Sequence, residues 1–150
     1  MSSKSAFFAG SFNPFTVGHL SVVERALTLF DRVVIGIGIN SEKESSPATE
    51  EQASLLRQYF RNRPEVEIRV YTGLTADEAR AAGCTHLLRS VRSVADFEYE
   101  RNLADANRNI FGMETFILYT EPQFSFVSSS LVRELRHHGI DPSRFLPEYK

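Results

Sequence analysis

With 150 residues, 42% hydrophobic and 24% charged composition and a net charge of −2, the chain has the size and balance of one globular domain, residues 1–150. The near-neutral balance excludes a global basic field, and with it generic nucleic-acid binding. A lone cysteine, Cys84, excludes an internal disulfide framework and cysteine-rich zinc sites. No run approaches the roughly 18 apolar residues of a membrane span, and "MSSKSAFFAG" is too short and interrupted for a secretory signal, so a soluble cytoplasmic domain is expected.

"SAFFAG" reads as a buried strand, followed by a helix from about Gly18 to Phe30 with an apolar face of Leu20, Val23, Leu27 and Phe30. "RVVIGIGI" is nearly apolar on both faces, as a central parallel strand should be, and the polar loop "NSEKESSPA" carries one cation, Lys43. Thr49 with Gln52 has capping-box spacing and opens a second helix in "EEQASLLRQYF". "VEIRVY" is a third strand. Thr75 with Glu78 repeats the capping signal before a short helix ending at Gly83, and "THLLR" is a fourth strand. Ser93 with Asp96 opens a long helix whose apolar face runs Tyr99, Leu103, Ala106, Ile110. "TFILYT" is a fifth strand and "SSSLVRELRHH" a last helix, stopped by Gly139. Alternation of this kind predicts an α/β fold: a Rossmann-like, doubly wound, five-stranded parallel sheet with helices on both faces. Ligands of such sheets bind beyond the carboxyl ends of the strands, at a topological switch point.

Three loops at those ends carry more chemistry than a connection needs. In "GSFNPFTVGHLSVVERAL", Gly10 permits close backbone approach, Pro14 stiffens the turn, and Gly18 and His19 stand at a helix N-terminus, where free N–H groups attract anions. Taken singly, Gly10 is a turn residue and His19 a partly exposed helix residue; the joint spacing G-S-F-N-P-x-T-x-G-H points to function. In "LLRSVRSVADFEYE", Arg89 and Arg92 leave a strand end three residues apart, as two phosphate-gripping guanidiniums or as two solvated charges. Asp96 reads as a cap, and Glu100 either as a solvated charge or as a site residue. In "QFSFVSSSLVRE", Ser128, Ser129 and Ser130 offer hydroxyls and N–H groups at a second helix start, where a single cap needs one serine. Phe124 and Phe126 read as packing residues, and Lys43 by itself as a solvated charge.

Other chemistries are absent from the pattern. "IGIGI" lies inside a strand and opens no helix, so it is not a dinucleotide fingerprint, and no G-x-x-x-x-G-K-(S/T) loop or G-x-S-x-G elbow occurs. His137 and His138 are neighbours on a helix and point to different faces, which argues against a metal site.

The stretches "GSFNPFTVGH", "RSVRSVADFEYE" and "FVSSSLVREL" resemble the bacterial phosphopantetheine adenylyltransferases, within the nucleotidyltransferase superfamily marked by an (H/T)-x-G-H motif, here Thr16-Val17-Gly18-His19. The resemblance covers essentially the whole chain, and "ADFEYE" and "FLP" belong to that family rather than to the superfamily. It implies transfer of an adenylyl group from ATP to 4′-phosphopantetheine, giving dephospho-coenzyme A and pyrophosphate, with magnesium bound mainly through ATP, no metal held by the protein itself, and a homohexamer. It further implies that Ser11 and Phe12 lie beside ATP, that Ser11 also touches the pantetheine phosphate, and that His19 stabilises the transition state. Lys43 and Arg89 would bind the pantetheine phosphate and Thr75 would line the pantetheine channel. Ser90, Val91, Arg92, Glu100, Phe124, Ser125, Phe126, Val127, Ser128, Ser129 and Ser130 would form the nucleotide site. The chain departs from the family's usual threonine at Ser11, aspartate at Asn13 and glycine at Ser90.

The attacking group in such a reaction is a phosphate monoester, largely ionised at neutral pH because its second pKa is about 6, so no general base is required. Another nucleotidyltransferase on the same scaffold, acting on nicotinate mononucleotide or glycerol phosphate, is the nearest alternative, and a non-catalytic nucleotide-binding regulator a further one. "ADFEYE" and Lys43 argue against the first; formation of dephospho-coenzyme A separates the second.

Overall fold

The first strand decides the layering. In β1 (Ser5–Gly10) the period of two sends Phe7 and Phe8 to opposite faces, and both rings are buried, so the strand needs cover on each side. The computed structural model, which describes residues 3–39 and 47–149, supplies it. Phe8 joins Val33, Ile35 and Ile37 of β2 (Arg32–Gly38), Val22, Val23 and Ala26 of α1 (Val17–Ala26) and Ala53 and Leu56 of α2 (Pro47–Tyr59) in one core. Phe7 joins Val34, Tyr71 at the end of β3 (Val66–Tyr71), Ala76 and Ala79 of α3 (Thr75–Ala81) and Leu87 of β4 (His86–Val91) in the other. The remaining elements are α4 (Val94–Phe111), β5 (Thr115–Tyr119) and α5 (Ser129–His137).

All five strands are parallel, in the order β3-β2-β1-β4-β5. The chain builds outward from β1 through β2 to β3, then crosses back to β4 on the other side of β1. The direction in which strands are added therefore reverses between β1 and β4, and the loops that leave these two strands face each other across that point. Gly36, in the middle of "IGIGI", has a packing role: a Cβ there would stand 2.2 Å from the Phe7 ring.

Several local expectations are corrected. Helix α1 ends at Ala26, not Phe30, because Thr28 and Leu29 turn their N–H groups to carbonyls three residues back, tightening the chain while Phe30 stays buried. Thr49 and Gln52 do not open α2, which begins at Pro47; Gln52 is buried beneath the loop that follows β1. Thr75 is the first residue of α3 rather than its cap: its hydroxyl meets the Tyr71 phenol at 2.9 Å, and Glu78 accepts from Arg69. The expected face of α4 is largely open to solvent, with Tyr99 64% and Ile110 70% exposed. Glu100 is its only fully buried residue among those described. The cap at Ser93 forms as expected, accepting from Asp96 N, and of the three serines it is Ser128 that caps α5, accepting from Leu131 N.

Candidate active site

The loop after β1 is folded over its own aromatic residues. Phe12 turns its backbone to φ 44° and tucks its ring under Gly10, where a Cβ would lie 2.9 Å from that ring. The Phe12 side chain is thus core, against Phe8 and Phe15, and only its backbone is left for a ligand; Ser11 beside it is exposed. Beyond the cis Asn13–Pro14 bond, Thr16 caps α1. Thr16 Oγ1 accepts from His19 N, and the Thr16 N–H donates 2.9 Å to His19 Nδ1. Histidine here fills the third-residue role that glutamate or glutamine has in an ordinary capping box.

That return bond fixes the chemistry of the imidazole. A backbone N–H can only donate, so Nδ1 holds a lone pair and Nε2 carries the hydrogen. Burial of the ring among Phe8, Phe12 and Phe15, with the charges of Arg92 and Arg89 nearby, pushes the pKa from 6.5 down to about 4. At neutral pH His19 is therefore an uncharged donor aimed by its own helix cap.

His19 lines a cleft of about 170 Å³ together with Thr16, Gly18, Ser90, Arg92, Thr120 and the segment Val127 to Ser130. Two helices begin on this cleft. Gly18 and His19 belong to the first turn of α1, and Ser129 and Ser130 to the first turn of α5, where backbone N–H groups have no intrahelical acceptor. The two starts are braced to each other: Ser129 Oγ donates 2.7 Å to the Pro14 carbonyl, and Arg133 Nη1 donates to the Asn13 carbonyl. Ser21 bonds Glu121 at 3.0 Å and Arg25 bonds the Tyr119 carbonyl at 2.6 Å, tying α1 to the exit of β5. Arg92 stands at the mouth, half-exposed, with Asp96 at 3.7 Å.

A second cleft, about 210 Å³, opens on the other face of β1 and β4, between Ala9, Leu74, Thr75, Arg89, Glu100 and the Leu103–Phe111 side of α4. Arg89 is its floor. Nε and Nη2 grip the Glu100 carboxylate at 2.8 and 2.7 Å and Nη1 bonds the Ala9 carbonyl. Burial opposes the charge on Arg89, but the hydrogen bonds and charge of Glu100 more than offset it and raise the pKa, so the guanidinium stays charged in a largely apolar hollow. One buried hydroxyl in this hollow, Thr115 Oγ1, has no partner among the described residues.

The expected residues thus fall into groups. His19, Ser90, Arg92, Val127, Ser128, Ser129 and Ser130 share the first cleft, and Thr75 and Arg89 the second. Glu100, grouped by resemblance with the nucleotide residues, lines the second cleft and pairs with Arg89. Val91 is buried at the end of β4, and Phe124 lies beside Gly18. Ser125 bonds the Pro122 carbonyl and Phe126 packs edge-on against Phe145. Lys43 lies outside the described residues. Thr120 was missed, although it follows a parallel strand directly, the place where the switch-point rule directs attention.

The chain matches the model of the Cytidylyltransferase-like family over residues 7–135. It is 49% identical over 148 residues to the phosphopantetheine adenylyltransferase of Porphyromonas gingivalis, spanning 99% of this chain and 97% of the relative. The chain belongs to the phosphopantetheine adenylyltransferase family. The Phocaeicola vulgatus member is 48% identical, over 97% of this chain and 96% of its own length. Likeness of fold reaches further than likeness of sequence. The bifunctional NMN adenylyltransferase/ADP ribose pyrophosphatase of Francisella tularensis superposes with a TM-score of 0.65 at 16% identity, over 97% of this chain and 45% of that one. The fold of this chain is therefore shared with that enzyme although little of the sequence is.

Proposed function

We propose that this chain joins ATP and 4′-phosphopantetheine to form dephospho-coenzyme A and pyrophosphate by direct in-line transfer, with no covalent enzyme intermediate. The observation that carries the reading is the pairing of clefts. One has two helix N-termini, a neutral imidazole donor and Arg92. The other, across the same strand ends, has a charged arginine in an apolar hollow. The first suits a triphosphate; the second suits a phosphate on a long, uncharged tail.

An oxygen of the incoming phosphate bonds to the α-phosphorus as the bridge to the β-phosphate breaks. The attacking oxygen is already ionised, so the work of the site is alignment and charge stabilisation. His19, through Nε2–H, and Ser11 serve the α-phosphate. Arg92 and the first turn of α5 hold the β- and γ-phosphates, and Arg89, with Lys43, orients the acceptor. Glu100 holds Arg89 in place, and Ser90 and Phe124 to Ser130 shape the nucleotide wall. Thr75 flanks the tail.

Magnesium travels on the nucleotide in this reading. The lining of the first cleft offers donors and a guanidinium but no carboxylate, and no trio of His, Cys, Asp or Glu among the described residues could hold an ion. That set fits a metal carried by phosphate oxygens and water, where it neutralises triphosphate charge. The exposed Tyr99 and Ile110 of α4 and Phe116 and Tyr119 of edge strand β5 support a homo-oligomer, the hexamer implied by the resemblance. No described helix is long and apolar enough to cross a membrane.

A single assay tests the reading: ATP, magnesium and 4′-phosphopantetheine, followed by pyrophosphate release and dephospho-coenzyme A. Product from this acceptor, and none from nicotinate mononucleotide or glycerol phosphate, is the expected result. ATP binding without dephospho-coenzyme A, or a better rate with either other acceptor, would overturn it.

A further inference from the structure

Four polar or charged residues are buried among those described: Ser5, Thr16, Gln52 and Glu100. Ser5 is bonded to Thr85 at the amino end of the sheet, and Thr16 and Glu100 belong to the two clefts. Gln52 is different. It sits on α2, which lines neither cleft, in the same buried stripe as Ala53 and Leu56, where an apolar side chain would be expected.

We infer that Gln52 is a positioning residue for His19: its amide pins the peptide next to the one that fixes the imidazole. Gln52 Oε1 accepts from the Phe15 N–H at 3.0 Å, and the adjoining Thr16 N–H donates to His19 Nδ1 at 2.9 Å. Two successive backbone donors are thus held by two side chains, one from α2 below and one from α1 in front. The orientation of the amide is dictated rather than free. Oε1 must face the N–H, which leaves Nε2 to donate to the Tyr149 hydroxyl at 3.2 Å, and Tyr149 lies edge-on to Tyr59 of the same helix. The amide is therefore held from both sides, by the loop after β1 and by a C-terminal tyrosine that packs on α2.

The same contact controls the wall of the imidazole. The Phe15 side chain is fully buried, and its ring lies 5.3 Å from that of His19. If Phe15 loses its acceptor, a buried N–H is left without a partner and the loop relaxes to reach one. Thr16 N–H then leaves the line of Nδ1, and both tautomer and aim of the ring are lost. Arg92 and Arg89 still face the ring, but they disfavour only its charged form and do not choose which nitrogen bears the hydrogen.

The inference rests on His19 being the donor of the proposed transfer, and the experiment separates the two. Full-length wild type, Gln52→Leu, Gln52→Met, Gln52→Glu and His19→Ala are compared by steady-state kinetics. In the ligand-free proteins with an imidazole, the ring nitrogens of His19 are followed by ¹⁵N NMR. Gln52→Leu is expected to lower kcat by about 10- to 100-fold, the cost of a misplacement near 1 Å, with KM for ATP little changed. Its His19 signals should shift from the Nε2–H tautomer to a mixture, and its titration should move up from about 4 toward 6.5. Gln52→Met, also unable to accept, should behave alike and serves if the leucine variant does not fold. Gln52→Glu, which still accepts from Phe15, should keep the tautomer and most of kcat. Wild-type kcat and wild-type His19 signals in the leucine or methionine variant would overturn the inference, as would a change confined to KM. Full turnover in His19→Ala would instead remove His19 from the mechanism, and the nitrogen signals in the Gln52 variants would still decide whether Gln52 sets the ring.

Discussion

Gly18→Ala should move stability and activity in opposite directions. Gly18 is the second residue of α1, and a Cβ there would meet Thr16 Oγ1 at 3.5 Å and the Phe124 Cβ at 3.8 Å, both ordinary contacts. The fold therefore accepts the methyl group, and alanine's better helix propensity should add about 0.5 kcal/mol, less than the full interior value because the position lies in the first turn. In a chain of this size that raises Tm by about 1–2 °C. The same methyl projects at a wall of the 170 Å³ cleft, beside the N–H groups of the α1 start. A phosphate oxygen that would sit about 2.9 Å from those donors must retreat by roughly 1 Å, and a displacement of that size costs on the order of 10²-fold in rate. Thermal unfolding and pyrophosphate release, measured on one preparation, check both halves. A fall of several degrees in Tm would mean that the α1 start is packed more tightly than described. Wild-type kcat/KM with a normal Tm would mean that the α1 start is not where the triphosphate binds.

Three further outcomes follow from the same geometry. His19→Ala should reduce turnover by about 10²–10³-fold with the fold intact, the loss expected for one transition-state donor. Because the folded pKa of His19 lies near 4 and the unfolded value is 6.5, the unfolded chain takes up a proton in that window that the folded chain refuses. Stability is thus full above pH 6.5 and falls as pH drops toward 4, by about 2 kcal/mol once the partly open ring is allowed for. His19→Gln should flatten that part of a stability–pH curve measured by urea unfolding. Glu100→Gln should leave Arg89 buried without its counter-charge, destabilise the fold by about 3 kcal/mol and weaken the acceptor more than ATP, as read from the two KM values.

The sheet was legible because each strand is a short apolar run between punctuating loops, and parallel order follows from the helices between them. The site was legible for a related reason. Gly18, His19, Arg92 and the triple serine are residues for which a loop has no structural need in such density. Pairing partners were not legible. Arg89 and Glu100 are 11 residues apart, and Gln52 and Phe15 are 37, so each contact depends on how crossovers stack rather than on local spacing. Glu100 was also masked by its type, since a glutamate on a helix is ordinarily solvated; only its bidentate partner makes burial tolerable. The amphipathic signal of α4 misled because only the middle of the named face, Leu103 and Ala106, borders the hollow, while Tyr99 and Ile110 at the two ends of the same face stand open to solvent. For Gln52 a clue existed: a polar residue inside the buried stripe of an amphipathic helix needs a partner, and the nearest loop rich in backbone donors was the one after β1.

The hydrogen bonds from Ser129 to Pro14 and from Arg133 to Asn13 join points 115 and 120 residues apart. A growing polypeptide leaves the ribosome with its amino end first, so β1 to β3 can pair early in synthesis. The turn that follows β1 must nonetheless wait for nearly the whole chain before its carbonyls are claimed. A nascent chain that stops short of Ser128 contains all five strands and no finished grip for a triphosphate, which makes the competence to bind nucleotide one of the last properties this protein acquires as it is made.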